Sequence, residues 1–376
     1  MTRELHLSAA LDGTTDHRPL TGPYWSELVR LAEQGTLDFV TLDDSFLPAA
    51  SAPGQAVPPT APATEDGAGR LDAVAVLARA APGTSRIGLI PTVTTTHTEP
   101  FHTSTALATL DFVSEGRAGW LIGVSGTVTE ALAFGRRDPA APPELWSEAA
   151  DAAEVVSRLW DSWQDDAEIR DAATGRFIDR DRLHYIDFAG PYFSVRGPSI
   201  VPRPPQGRPP VAVTLGPRDL DPQEDGGRRA LAARYADLVL LDAADPGTAR
   251  TARARLRRDA EEAGRRSGGP RVCVRIAVDL TGSAGHDGLR PAGTAHFAGS
   301  PAGLAEQLGQ WHAADAADGF HLLPASPRAD LSAVVHDLVP LLRERGLFRS
   351  GYTGRTLRDH LGLSRPAGRY TPEAIR

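Results

Sequence analysis

The chain reads as a (β/α)8 TIM barrel, the α/β fold in which eight parallel strands close on themselves inside a ring of helices. Three observations predict it. Strand and helix signals alternate through most of the 376 residues, with no split into halves. The segment Ser85–Ser125, SRIGLIPTVTTTHTEPFHTSTALATLDFVSEGRAGWLIGVS, reads as strand, helix, strand, a parallel and right-handed βαβ unit. The glycine fingerprint that follows the first strand of an open dinucleotide-binding sheet is absent. An open doubly wound sheet is the alternative topology. The missing fingerprint and a length of about 250 residues plus insertions fit the barrel.

The elements follow in order. Leu5–Leu11 is a strand and Tyr24–Glu33 an amphipathic helix. Phe39–Leu42 is the second strand, ending on Asp43, Asp44 and Ser45. Pro48–Gly69, rich in Pro, Ala and Gly, reads as a flexible, variable excursion, and Leu71–Ala80 as the next helix. In the βαβ unit, Arg86–Thr96 is a β-branched run opening on Ile87, Leu89 and Ile90. Pro100 stands in the first helical turn, where a missing N–H is tolerated, and Ala106, Leu107, Leu110 and Val113 recur at helical spacing. SEGR then turns the chain into Ala118–Val124.

Glu144–Trp163 is a long helix ending in LWDSW. Asp165–Pro210 has few helical signals and much Pro and Gly, and reads as an insertion after that helix, with short strands at Tyr185–Phe188 and Tyr192–Val195. Alternation resumes with strand Val211–Leu215, helix Arg228–Tyr235, strand Leu238–Leu241, helix Thr248–Arg266 and strand Arg271–Leu280. Helix Pro301–Ala314, strand Phe320–Leu323 and helix Leu331–Arg345 complete it, and residues 346–376 form a tail. Residues 1–376 are expected to make one barrel domain.

Hydrophobic content of 41% and charged content of 23% are ordinary for a globular protein. No apolar run approaches the roughly 20 residues of a membrane span, and the start shows no signal core, so a cytoplasmic protein without a membrane partner is expected. Cys273 is the only cysteine, which excludes an internal disulfide, and its apolar strand VCVRIAVDL suits a buried inert thiol. All 40 basic residues are arginine, which excludes Schiff-base and P-loop lysine chemistry. A net charge of −8 argues against a nucleic-acid partner, and the basic run Arg250–Arg266 is interleaved with Asp259, Glu261 and Glu262.

In a barrel, catalytic groups cluster where strands end. Asp43 and Asp44, Thr94 to His97, Val124 and Ser125, and Gly216 to Arg218 all lie just past apolar strands. Gly123–Thr127 lacks the second glycine of a nucleophile elbow, and no histidine pair has zinc spacing with a glutamate.

TVTTTHTEPF followed by LDFVSEGRAGW resembles the signature of the bacterial luciferase-like flavin monooxygenases, in the branch of nitrilotriacetate and dibenzothiophene-sulfone monooxygenases. LWDSWQDDA (Leu159–Ala167), the block Gly190–Val211 and the tail from Phe297 to Leu363 repeat the resemblance in order. It implies a luciferase-like barrel that uses reduced FMN from a separate, transient flavin reductase, with O2, to oxidise a small organic substrate. A water-poor pocket suits that chemistry. The family's habit implies a homodimer or tetramer.

Residue by residue, the resemblance puts Asp44, Thr94 and Thr95 beside the flavin ring. The plain alternative for Asp44 is a helix cap. His97 stands where the family more often has an aromatic residue, and it is the weak candidate for a catalytic base. Leu121 stands where the family usually has an asparagine facing the flavin. Pro142 and Trp146 align with a histidine and a tyrosine, so Leu121 and Trp146 would make the pocket more apolar. The strand before the phosphate site usually ends in Gln-Ala-Gly-Ser-Ser; here it ends Thr214, Leu215, Gly216, Pro217, Arg218 and runs into DLDPQEDGG. Gly216, Gly226, Gly227 and Arg228 still offer amides and a cation, and Arg218 a bidentate contact, while Asp219, Asp221, Glu224 and Asp225 oppose an anion. Three readings therefore stand: the monooxygenase, an oxidoreductase using the deazaflavin F420 on the same fold, and a non-catalytic barrel with a degenerate flavin site.

Overall fold

The computed structural model describes residues 4–12, 20–46, 70–221, 223–224, 226–265, 268–282 and 293–371. The barrel strands are β1 (His6–Ala10), β2 (Phe39–Leu42), β3 (Gly88–Thr94), β4 (Trp120–Gly123), β5 (Val211–Leu215), β6 (Leu238–Leu241), β7 (Arg271–Asp279) and β8 (Gly319–Pro324). Each pairs in parallel with its neighbours in the chain, and β1 pairs with β8, Leu7 opposite Phe320, so the sheet closes.

A main helix follows each strand: α1 (Gly22–Gln34), α2 (Ala73–Ala80), α3 (Pro100–Val113), α4 (Pro142–Trp160), α5 (Gly227–Tyr235), α6 (Pro246–Glu262) and α7 (Pro301–Ala313), with a short extra helix, Val128–Phe134, between the fourth strand and α4. The last, α8, joins Pro327–Ala333, a π-helical turn at Val334–Leu338, and Val339–Glu344. The predicted (β/α)8 barrel is borne out. Among the described residues no helix is long and apolar enough to cross a membrane.

Period-two alternation sorts the side chains into two cores. Leu89 on β3 and Val239 and Leu241 on β6 pack outward with the helices, against residues such as Leu28, Leu77 and Leu256. Phe39, Ile90, Ala212, Leu238, Leu240 and Cys273 fill the barrel interior, with Leu121 packed on them. The tail closes this interior from below. Its short helix α9 (Leu357–His360) brings Leu357 and Leu361 into the inner cluster. Gly88 and Gly119 admit it: a Cβ on either would lie 2.5 or 3.1 Å from a Leu357 methyl group.

Several boundaries differ from the sequence reading. The long helix starts at Pro142 and stops at Trp160, because Asp161 pairs with Arg203 (3.1 Å) and Trp163 donates to the Ser199 carbonyl (2.8 Å), drawing the chain into the insertion. The insertion's expected strands shrink to Phe188–Ala189 and Ser194–Val195. A second hairpin, Glu168–Asp171 with Arg176–Ile178, went unread because it is mostly exposed and carries no apolar alternation. Ala295–Ala298 adds a strand beside the end of β7. The excursion Pro48–Gly69 lies outside the described residues.

Candidate active site

The same alternation that fills the interior with apolar groups changes character at the carboxyl ends of the strands. Thr92 and Thr94 of β3 share a face with Gly123 of β4: a Cβ on Gly123 would lie 3.1 Å from each threonine methyl. Below them His321 of β8 is fully buried, its ring nitrogens 2.9 Å from Ser8 Oγ and 3.1 Å from Thr41 Oγ1, its ring stacked 5.8 Å from Phe39. Burial, helped by nearby Arg275, pushes its pKa down to about 3. The His321 ring is thus neutral.

On the β2–β4 side of the mouth lies a cavity of about 560 Å³, whose walls include Asp44, Phe46, Thr94, His97 and Phe134. Its volume suits a small organic ligand. Asp44 accepts a hydrogen bond from Ala73 N–H (2.8 Å) at the start of α2, so it is a helix contact and a cavity wall at once. Burial raises its pKa above the usual carboxylate range, against the Ala73 hydrogen bond. His97 stacks on Phe134 (4.4 Å, 12°), and Phe46 meets Phe134 edge-on at 4.6 Å. The His97 Nε2 is buried without a hydrogen-bond partner among the described residues. Burial and then Arg137 lower its pKa, which favours the neutral ring.

Thr95 donates its hydroxyl (3.3 Å) and its N–H (3.0 Å) to the Gly123 carbonyl, clamping β3 to β4. Thr94 lines the cavity; Thr95 does not. The Ser125 N–H is held by Thr96 Oγ1 (2.9 Å), while its own buried Oγ has no partner among the described residues.

A second group gathers where β5 meets α5. The Gly216 N–H donates to Asp219 Oδ2 at 2.7 Å, and the same oxygen lies 3.5 Å from Arg228 Nη1. The Arg228 guanidinium sits 4.6 Å over the Trp146 ring, within cation–π range. Its Nε is buried without a partner among the described residues. Burial lowers the Arg228 pKa and Asp219 opposes the shift. Beside them, Asp242 accepts from Arg275 Nη1 (3.0 Å) and Thr294 Oγ1 (2.7 Å). Gly226 caps α5 and Gly227 begins it. Arg218 is exposed and makes no ion pair among the described residues.

The structure therefore divides the sequence-predicted residues into two groups. Asp44, Thr94, Thr95, His97 and Leu121 lie on the β2–β4 side; Trp146, Gly216, Gly226, Gly227 and Arg228 gather on the β5–α5 side. Sequence reasoning missed Asp242, Arg275 and His321. An arginine two residues from Cys273 in an apolar strand was the readable signal for Arg275, since period two puts both on one face. A larger cavity, about 820 Å³, lies at the opposite end, near Arg208, Asp237 and Arg271. Strand amino ends serve stability in this fold, so the smaller cavity is the better site.

A family model described as luciferase-like monooxygenase matches residues 6–284. N-acetyl-S-(2-succino)cysteine monooxygenase of Bacillus subtilis (strain 168) is 30% identical over 92% of this chain and 91% of its own. Nitrilotriacetate monooxygenase component A of Aminobacter aminovorans is 30% identical over 93% and 92%. Among solved structures, an EDTA monooxygenase from Chelativorans sp. BNC1 superposes with a TM-score of 0.77 at 24% identity, covering 96% of this chain and 99% of the other.

Proposed function

The chain belongs to the luciferase-like monooxygenase family, and on that premise we propose that it oxidises a small organic molecule with O2, using reduced FMN that a separate reductase delivers. The observation that carries this reading is an apolar, aromatic-walled cavity at the carboxyl end of the barrel, lined by His97, whose buried Nε2 has no partner among the described residues. Such atoms are costly unless a ligand completes them.

The residues present fit the ring of a flavin. Thr94, Ser125 and the neutral His97 would offer hydrogen bonds to its polar edge. Leu121, Phe46 and Phe134 would exclude water from its face. Thr95 acts one step removed, by fixing the β3–β4 junction. When bound, the reduced flavin would supply the oxygen chemistry; the chain's own task is to bind, orient and keep the pocket dry. The phosphate end of FMN fits less well, because the Gly216 N–H and the nearest cation already hold a carboxylate.

Anaerobic fluorescence titration tests the reading. Saturable binding of reduced FMN, followed by reductase-dependent O2 uptake stimulated by a substrate, is the expected result. Preference for reduced F420 would move the reaction to hydride transfer. Binding of neither cofactor would leave a non-catalytic barrel. Within the positive case, Thr94→Val and Asp44→Ala should each weaken binding by about threefold to tenfold, the worth of one hydrogen bond.

A further inference from the structure

We propose that Asp219 is a built-in anion that occupies the cradle of the cofactor's phosphate, so that this enzyme gains little from a flavin's phosphate. The proposal rests on the flavin reading above and concerns the specificity of the same site. A strand-end peptide N–H, a helix N-terminus and a guanidinium together are the donor set that an oxyanion takes. Here one oxygen of Asp219 takes two of them, the Gly216 N–H at 2.7 Å and Arg228 Nη1 at 3.5 Å.

Asp219 is held there by its own turn. Its N–H donates to the Gly216 carbonyl (3.1 Å), and its carbonyl accepts from Arg229 Nη1 (3.1 Å). The next cation along the rim is matched as well, since Arg275 is bound to Asp242 at 3.0 Å. A Cβ on Gly216 would lie 3.8 Å from a carboxylate oxygen of both Asp219 and Asp242. The rim thus pairs two guanidiniums with two carboxylates. A phosphate that reaches Gly216 meets carboxylates on both sides, and it must displace Asp219 to reach the amide. The unpartnered Nε of Arg228 marks the donor that such an exchange would use.

The test compares the wild type with Asp219→Asn, Asp219→Ser and Asp221→Asn. Asp221 belongs to the same acidic loop but accepts from the Gln223 N–H (2.9 Å), outside the cradle. Anaerobic dissociation constants are measured for reduced FMN and reduced riboflavin, with the melting-temperature rise produced by inorganic phosphate as a flavin-free readout. In the wild type the two flavins should bind within about threefold of each other. Asp219→Asn or Asp219→Ser should tighten FMN by about tenfold, leave riboflavin unchanged and enlarge the phosphate-induced rise, the scale expected when a like charge is removed. Asp221→Asn should do none of this.

A wild type that prefers FMN by more than about tenfold, with FMN weakened in Asp219→Asn, would overturn the proposal and make Asp219 a support for the phosphate site. Equal tightening by Asp219→Asn and Asp221→Asn would overturn it in favour of bulk charge. If no protein bound either flavin, yet phosphate stabilised Asp219→Asn more than wild type, the flavin reading would fall and the plugged cradle would stand. Absence of both the FMN gain and the phosphate gain would sink the cradle itself.

Discussion

At the amino end of the barrel, buried charge is matched; at the carboxyl end, polar groups wait. Asp38 at the foot of β2 accepts from Leu7 N–H (2.8 Å) and pairs with Arg349 (2.9 Å) and His6 (3.0 Å). Asp318, before β8, holds Arg253 (2.6 Å) and accepts from Val272 N–H (2.9 Å). Arg358 of the tail reaches Asp237 at 3.1 Å and donates to the Arg208 carbonyl at 2.7 Å. Among the described residues the amino end still carries an unpartnered His360 Nδ1, so the contrast is one of degree. The mouth, by comparison, leaves His97 Nε2 open at the wall of a cavity, and Ser125 Oγ and Arg228 Nε without a partner among the described residues. The difference teaches that one end is built for stability and the other gives some up for a ligand.

The strongest way to break this comparison is to remove a guanidinium from the amino end. Arg253→Ala strands the buried Asp318 carboxylate and should cost about 3–5 kcal/mol, read from the denaturation midpoint. A loss below about 1 kcal/mol would mean that the amino end is no better matched than the mouth. Next comes the plug. Leu357→Ala empties the space beside Gly88 and Gly119 and should cost about 2–4 kcal/mol while leaving cofactor affinity unchanged.

At the mouth the expected sign differs. Ser125→Ala removes a buried hydroxyl that has no partner, so stability should hold within about 1 kcal/mol or rise, while reduced-flavin affinity falls. Destabilisation by more than about 2 kcal/mol would show that the hydroxyl serves the fold.

A pH dependence tests the amino end without any substitution at the mouth. Asp111 accepts from Gln206 Nε2 (2.6 Å) and Ala118 N–H (3.2 Å), yet burial outweighs these bonds and raises its pKa from 3.8 to about 6. Between those values the folded chain keeps a proton that the unfolded chain releases, so this group's contribution to stability falls as pH climbs from about 4 to about 6. Asp111→Asn should flatten that limb of the melting-temperature profile. An unchanged limb would assign it to another group.

Much of the fold was legible in the sequence because burial on both faces of a parallel strand leaves apolar runs such as FVTL and LVLL, and helices leave their own period. The strand-end rule likewise put Asp44, Thr94, His97 and Ser125 at the carboxyl end of the barrel, since it needs only the order of elements. It failed for Arg275 and His321, which stand inside strands. The exposed hairpin at Glu168–Ile178 failed for the opposite reason, having no buried face to leave a pattern.

The sequence by itself determined the alternation of elements, the closed barrel that they build and which strand ends carry polar groups. Periodicity is a local property, and burial enforces it residue by residue. Only the tertiary structure decided which of those groups are free. Thr95 is spent on Gly123, Asp242 on Arg275 and Asp219 on Gly216 and Arg228, while Ser125 and His97 keep an open atom. Whether a polar atom is satisfied depends on what folding brings within hydrogen-bond reach of it, and partners such as Gly123 for Thr95 and Arg275 for Asp242 lie far away along the chain.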